Sequence, residues 1–318
     1  MTSKEKYREI CRVERSVPLF SRDWWLDVTC GEGNWDVLLV EMSGKIRAAM
    51  PLYIPCKGVI TMPPYTQTMG PWFAPCPEEP DFAERRLMCQ EFAEALKGYN
   101  YFSQHFCYTL TDWLPFYWKG FSQSTRYTYL LKDLHDVKQL WANIGKTKQR
   151  YIRQAAGKYR LTVRTGVPTT EFLRLNGLVF ERQNLEPYHP KVLGKLIDTA
   201  VARGQAGVWG AYDESGRLHA AVFVVFQESS AYYIAGGSEP SFRHTHAMCL
   251  LFWEVWNQVA DKCDLFDFEG SMIQGVERFF REFGAVQTPY FALCKGRLTL
   301  FRRARIKLSR LLEERKGK

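Results

Sequence analysis

The chain has 318 residues, of which 46% are hydrophobic and 24% charged, and a formal net charge of +9. At about 100–200 residues per domain this length favours two domains, and the composition is that of a chain able to bury a real core. Collagen, coiled coil and wholesale disorder are excluded, and with no run of about 18 uncharged apolar residues no membrane-spanning helix is expected.

The N-terminus, MTSKEKYREICRVERSV, is charged from its fourth residue and has no apolar signal core, which points to a cytoplasmic protein. Helical patterning runs to about residue 28. WDVLLVEM (35–42), a Ser43-Gly44 turn and KIRAAMPLYI (45–54) predict a β-hairpin, and GVITMP (58–63) predicts a third strand. Proline and glycine in PPYTQTMGPWFAPCPEEP forbid a regular element there. A helix is expected over 81–98, with Phe82, Leu87, Phe92 and Leu96 apolar. QHFCYTL (104–110) and STRYTYLL (124–131) read as strands around a short aromatic helix.

The segment 132–137 (KDLHDV) reads as the boundary between a domain over 1–134 and one over 135–318. The second opens with a basic helix over 136–159 and a strand at 161–165. Helices over 169–184 and 190–203 follow, then an antiparallel meander at 207–213, 217–227 and 230–237. A helix over 244–262 has Met248, Leu251, Phe252, Val255 and Val259 on one face. DLFDFEG (264–270) is a strand, VERFFREFG (276–284) a glycine-ended helix, PYFALCK (289–295) a closing strand and 298–315 a basic terminal helix. Helices, antiparallel strands, helix, strand, helix, strand is the order of a mixed α/β layer architecture.

Charge is uneven. Residues 144–165 carry Lys146, Lys148, Arg150, Arg153, Lys158, Arg160 and Arg164 with no acid, and residues 295–318 carry ten basic residues against Glu313 and Glu314. Two basic surfaces on a mildly acidic body suit anionic partners: a phosphorylated ligand, nucleic acid or an anionic membrane. In the terminal helix Phe301, Ala304, Leu308, Leu311 and Leu312 form an apolar stripe flanked by arginines, a pattern that fits docking or peripheral membrane contact. The nine cysteines include no C-x-x-C pair, so neither zinc nor a disulfide framework is expected.

Several stretches resemble, in order, the FemAB family, whose members are two acetyltransferase-like (GNAT) domains in tandem. They are KTKQRYIRQAAGKYRLTVRTG, GRLHAAVFVVFQESSAYYIAGGS, CLLFWEVW, DLFDFEGS and GVERFFREFG, with KIRAAMPLYIP and PPYTQTMGPW in the first half. The resemblance spans nearly the whole chain. It implies a fold of two tandem GNAT-like domains and N-acyl transfer from an acyl-CoA donor, or from aminoacyl-tRNA in members that build peptidoglycan bridges. Those bridge enzymes commonly carry lysine in an F-K-x-x-F-like stretch. Here Phe280 holds that position, and the neighbouring Arg281 points about 100° away on a helix. No charged heptad repeat supplies their coiled-coil arm.

In acetyltransferase folds the carrier sits where one strand splays from its neighbour, with its pyrophosphate on the N-terminus of the next helix. Here that strand is Ala231–Gly237, and the helix is expected to begin near Thr245. The candidate carrier-binding residues are Gly236, Gly237, Ser238, Arg243 and Thr245: glycine for close approach, Arg243 for phosphate, Thr245 at the helix start. His244 and His246 stand at i, i+2 and face apart, which argues against a metal pair. His246 and Glu269 are the candidate catalytic bases. Asp267 and Glu269 alternate on a strand, which would put both on one sheet face about 6.6 Å apart. Arg182, Tyr188 and His189, between two helices, are candidate substrate-binding residues, at the family's expected acceptor cleft.

Three readings stay open. The first is an N-acyltransferase joining an acyl-CoA-like donor to an amine acceptor. The second is an aminoacyl-tRNA-dependent peptidyltransferase acting on a cell-wall precursor, and the third a degenerate, non-catalytic GNAT-fold binding protein. The basic helix offers a tRNA contact, but no RNA-reading motif accompanies it.

Overall fold

The computed structural model, which describes residues 1–75 and 82–298, opens on a capped helix. In α1 (Ser3–Val13) the Thr2 hydroxyl accepts from the Glu5 N–H and the Glu5 carboxylate accepts from the Thr2 N–H. Helix α2 (Asp23–Cys30) leads to the expected hairpin, β1 (Trp35–Met42) and β2 (Lys45–Cys56). Its turn residues Ser43 and Gly44 have φ of 51° and 73°, the left-handed pair that matches strand twist. Then come β3 (Val59–Thr61), β4 (Trp72–Phe73), α3 (Phe82–Ala95), β5 (Tyr101–His105), α4 (Leu114–Tyr117) and β6 (Ser122–Lys132). Helix α3 buries Met88, Cys89, Phe92 and Ala93, whereas Phe82 and Leu87, two of the apolar positions of the expected helix, are exposed.

Past β6 the elements are α5 (Val137–Asn143), α6 (Lys146–Arg153) running into a π-turn at Gln154–Lys158, β7 (Thr162–Thr165), α7 (Thr169–Glu181) and α8 (Pro190–Ala202). β8 (Ala206–Tyr212), β9 (Leu218–Gln227) and β10 (Ser230–Ser238) form the meander. α9 (Ala247–Val259), β11 (Leu265–Asp267), α10 (Gln274–Arg281) and β12 (Val286–Gly296) complete the described chain. The single basic helix expected over 136–159 is two. Asp136 caps α5, and the break falls at Gly145, whose N–H donates to the Glu282 carbonyl at 2.9 Å.

Contacts group Met1–Arg126 with Pro289 onward into one unit and Tyr127–Thr288 into another. In the first, β1, β2 and β3 are antiparallel neighbours, β3 runs parallel to β5, and Ala292–Gly296 of β12 pairs antiparallel with β5. The last strand from Pro289 on therefore groups with the first unit, where its Ala292–Gly296 stretch bonds to β5. In the second unit the order is β6-β11-β10-β9-β8-β7, antiparallel except for β10 and β11. β9 is buried along Leu218–Val225, which explains its unbroken apolar run. α9 covers the sheet with Leu251, Phe252, Val255 and Trp256.

The strand expected over 264–270 is cut to Leu265–Asp267. Glu269 and Gly270 take φ of 63° and 65° and turn the chain away. A Cβ on Gly270 would lie 2.1 Å from the Tyr127 carbonyl oxygen, so only glycine passes there. Among the described residues no helix is long and apolar enough to cross a membrane, and the eight described cysteines are free thiols. The basic terminal helix and Cys76 lie outside the described residues.

Candidate functional site

β10 and β11 pair in parallel over only three positions, Ser230 with Leu265, Ala231 with Phe266 and Tyr232 with Asp267. Beyond them β11 ends while β10 continues to Ser238, which opens a wedge in the sheet. A bulge between Tyr233 and Ala235 marks its start. The walls are aromatic. Tyr233 packs edge-on against Phe252 at 5.0 Å, and Phe268 stacks on Phe280 at 4.5 Å. Phe280, at the position of the bridge enzymes' lysine, is 4% exposed and belongs to the core.

The carboxylates sit at the end of β11. Asp267 is buried, and its Oδ1 accepts from the Thr128 hydroxyl and from the Glu269 N–H at 2.8 Å. Burial raises its pKa to about 6, against those two hydrogen bonds. Glu269 has left the strand, so the two acids do not alternate along one face as expected. Its Oε1 is buried with no hydrogen-bond partner among the described residues. Burial first, then the neighbouring Asp267, push its carboxyl well above the usual range. A left-handed glutamate with an orphaned buried oxygen, at the mouth of a wedge, is a strained group in search of a partner.

From Ser238 the chain passes through a tight turn at Pro240–Thr245 and enters α9 at His246, which is itself left-handed (φ 58°) and makes no side-chain cap. No side chain therefore caps the start of the thirteen-residue α9, where the positive end of its dipole lies, although the Cys249 N–H donates to the His246 carbonyl at 2.9 Å. The basic helix meets this point. Tyr151 of α6 stacks on His246 with ring centroids 3.7 Å apart, and Tyr159 lies edge-on to His244 at 5.5 Å. Burial, then Lys148, Arg150 and His244, lower the His246 pKa. Lys148 is buried over the Phe279 ring at 4.0 Å and reaches Glu282 at 3.4 Å. Lys146, Arg150, Arg153 and Lys158 pair with no acid among the described residues, and Arg243 is exposed with its side chain unpartnered. The loop and the basic helix, two separate signals in the sequence, form one cationic surface around a helix N-terminus.

Gly236 and Gly237 have a packing reason to be glycine. A Cβ on Gly237 would lie 2.4 Å from the Leu175 carbonyl, and one on Gly236 would lie 2.6 Å from the Tyr233 hydroxyl. Asn176 of α7 also donates to the Gly236 carbonyl at 2.9 Å. Ser238 stays in the ladder opposite Ala220. Thr245 is 2% exposed, one residue before the cap position expected of it. Arg182 ends α7 and His189 precedes α8, with Tyr188 on the connection between them, where it meets His189 edge-on at 4.6 Å. Sequence reasoning counted Lys148 only as one charge of the basic run and passed over Tyr151 and Tyr159, whose importance rests on what they stack against. It also passed over Asp213 and His219.

Residues 142–281 match a family model described as an acetyltransferase (GNAT) domain. No curated protein matches the chain. Among solved structures, FemX is similar with a TM-score of 0.67 at 12% identity, over 92% of this chain and 96% of that one. L-PGS from Bacillus licheniformis is similar with a TM-score of 0.56 at 13% identity, over 98% and 97%. A tandem GNAT protein from the clavulanic acid biosynthesis pathway gives 0.54 at 12% identity, over 92% and 96%. At these identities the likeness is one of fold. The chain has the fold of these tandem GNAT structures, and residues 142–281 match the model of a GNAT-type acetyltransferase domain.

Proposed function

We propose that this chain is an N-acyltransferase whose donor is an acyl group on a phosphate-bearing carrier of the acyl-CoA type and whose acceptor is an amine. The observation that carries the reading is the junction at His246, where an uncapped helix N-terminus meets the unpaired cations of α6. Backbone N–H groups, Arg243 and Arg150 are the phosphate ligands in this reading, and the β10–β11 wedge takes the acyl end. The amine nitrogen bonds to the acyl carbon, the carrier bond breaks, and the amine proton passes to Glu269. That carboxyl's raised affinity for protons suits it to the task. His246, whose proton affinity is lowered by burial first and then by the cations around it, is left to position the carrier.

A second reading has its own support. Lys146, Arg153 and Lys158 extend the cationic face of the α6 segment past the loop, more charge than one pyrophosphate needs, and this favours a polyanionic carrier such as aminoacyl-tRNA. Calorimetry separates the readings. Saturable binding of CoA and acetyl-CoA, weakened by about 1–3 kcal/mol in Arg243→Ala, supports the first. Binding of tRNA alone, with a steep salt dependence, supports the second. Binding of neither leaves a non-catalytic GNAT fold. Membrane contact by the terminal helix, which would suit a lipid-linked acceptor, is a separate question for vesicle co-sedimentation.

A further inference from the structure

Behind the candidate carrier loop lies a side-chain chain that the proposed chemistry does not use. His219 on β9 is 4% exposed. Its Nε2 is 3.2 Å from Asp213 Oδ2, and its Nδ1 is 3.1 Å from Thr245 Oγ1. The Thr245 hydroxyl donates to the Phe242 carbonyl at 2.6 Å, so towards His219 it accepts, as the Asp213 carboxylate does, and both ring nitrogens donate. Asp213 is fixed in turn by the Ser215 and Arg217 N–H groups and by the Arg217 guanidinium at 2.7 Å. The imidazole lies flat on the Phe242 ring, 4.0 Å between centroids at 14°, and Arg217 stands over the same ring at 5.1 Å. The His219 carbonyl also accepts from the Glu239 N–H at 2.9 Å. One residue thus holds the turn before its start, at its middle and at its last residue.

Asp213, His219 and Thr245 have the connectivity of a nucleophilic triad, but not the exposure. Thr245 is 2% exposed and its hydrogen is committed to a carbonyl, so no substrate reaches it. What the arrangement does is set the geometry of the turn that feeds His246 into α9. We propose that His219, oriented by Asp213, is a positioning residue that fixes the Glu239–Thr245 turn and with it the N-terminus of α9. The functional consequence rests on the carrier reading above; the clamp itself does not.

Amide hydrogen exchange on the full chain, with calorimetric titration of CoA, tests both. Thr245→Val keeps the side-chain shape and removes the acceptor; His219→Phe keeps the stacking and removes both ring hydrogen bonds. In both variants, amides of residues 240–249 are expected to exchange at least about tenfold faster while those of β9 are unchanged, since local opening need not follow global unfolding. CoA is expected to bind at least about tenfold more weakly, or about 1.4 kcal/mol. His219→Asn keeps a donor towards Thr245 and is expected to recover most of both losses. Unchanged exchange in a folded Thr245→Val variant overturns the clamp whatever CoA does. Faster exchange with unaltered CoA affinity overturns its role in positioning. Failure of the parent to bind CoA removes the carrier reading and the positioning role with it, and exchange still decides the clamp.

Discussion

Replacing Asp267 with asparagine should make the protein more stable above pH 6 and less stable at pH 4. Asp267 titrates near 6 because burial disfavours its charge. Held near 6 and not near the ordinary 4, its ionisation inside the fold costs about 3 kcal/mol, at about 1.4 kcal/mol per pH unit. The sign follows from proton counting. Between these values the folded state holds a proton that the unfolded chain has lost, so stability falls as pH rises through the interval. The cost is absent below about pH 4 and complete above about pH 6. In Asp267→Asn the new side chain keeps an oxygen to accept from Thr128 and from the Glu269 N–H, but buries an amide NH2 at about 1 kcal/mol. The variant should therefore gain about 2 kcal/mol at pH 7–8, lose about 1 at pH 4, and cross the parent near pH 5. Urea denaturation at half-unit steps from pH 4 to 8 measures the difference. A difference that does not change with pH, or that favours the parent increasingly towards neutrality, would show that Asp267 is not a buried charge under strain.

If Glu269 receives the amine proton, Glu269→Gln lowers kcat at least about 100-fold and leaves CoA affinity within about twofold; a variant with near-normal turnover makes it a structural acid. In the parent, kcat should rise with pH along a limb displaced above the ordinary carboxylate range, and Asp267→Asn should move that limb to lower pH, since Asp267 is one cause of the displacement. Gly237→Ala should cost about 2–4 kcal/mol by urea denaturation: its Cβ meets the Leu175 backbone at 2.4 Å, forcing α7 away and straining the Asn176 bond to Gly236. A cost below about 0.5 kcal/mol would mean that α7 yields freely.

The sequence carried the order of elements well because each was marked locally. The Ser43-Gly44 turn set its hairpin, and the apolar face of α9 set its helix. The errors came where a distant group intervened. No local signal announces that Gly145 will donate to Glu282 and split the basic helix, or that Tyr127 will force Gly270 into a left-handed turn and end β11 at Asp267. The site divides in the same way. Glu269, His246 and Arg243 were visible as chemistry-bearing residues beside glycines and a helix start. That Tyr151 stacks on His246, and so joins two separate signals into one surface, is a tertiary fact. His219 was passed over because it sits in LHAAVFVVFQ, a run so apolar that the pattern announces the strand and not its one histidine.

The pairing of β12 with β5 also bears on the order in which the chain matures during synthesis. Ala292 and His105 are partners in that ladder. At about 5–20 residues per second, β5 waits on the order of 10–40 s for its neighbour to be made. Residues 127–288 are continuous in sequence, so the second unit has all its strands before the first does. The N-terminal unit begins first and finishes last, with one edge of β5 open to other chains meanwhile. Chains arrested before Pro289 emerges should already protect residues 127–288 from protease while leaving 101–105 cleavable. Equal protection of both segments would mean that β5 needs no partner from the end of the chain.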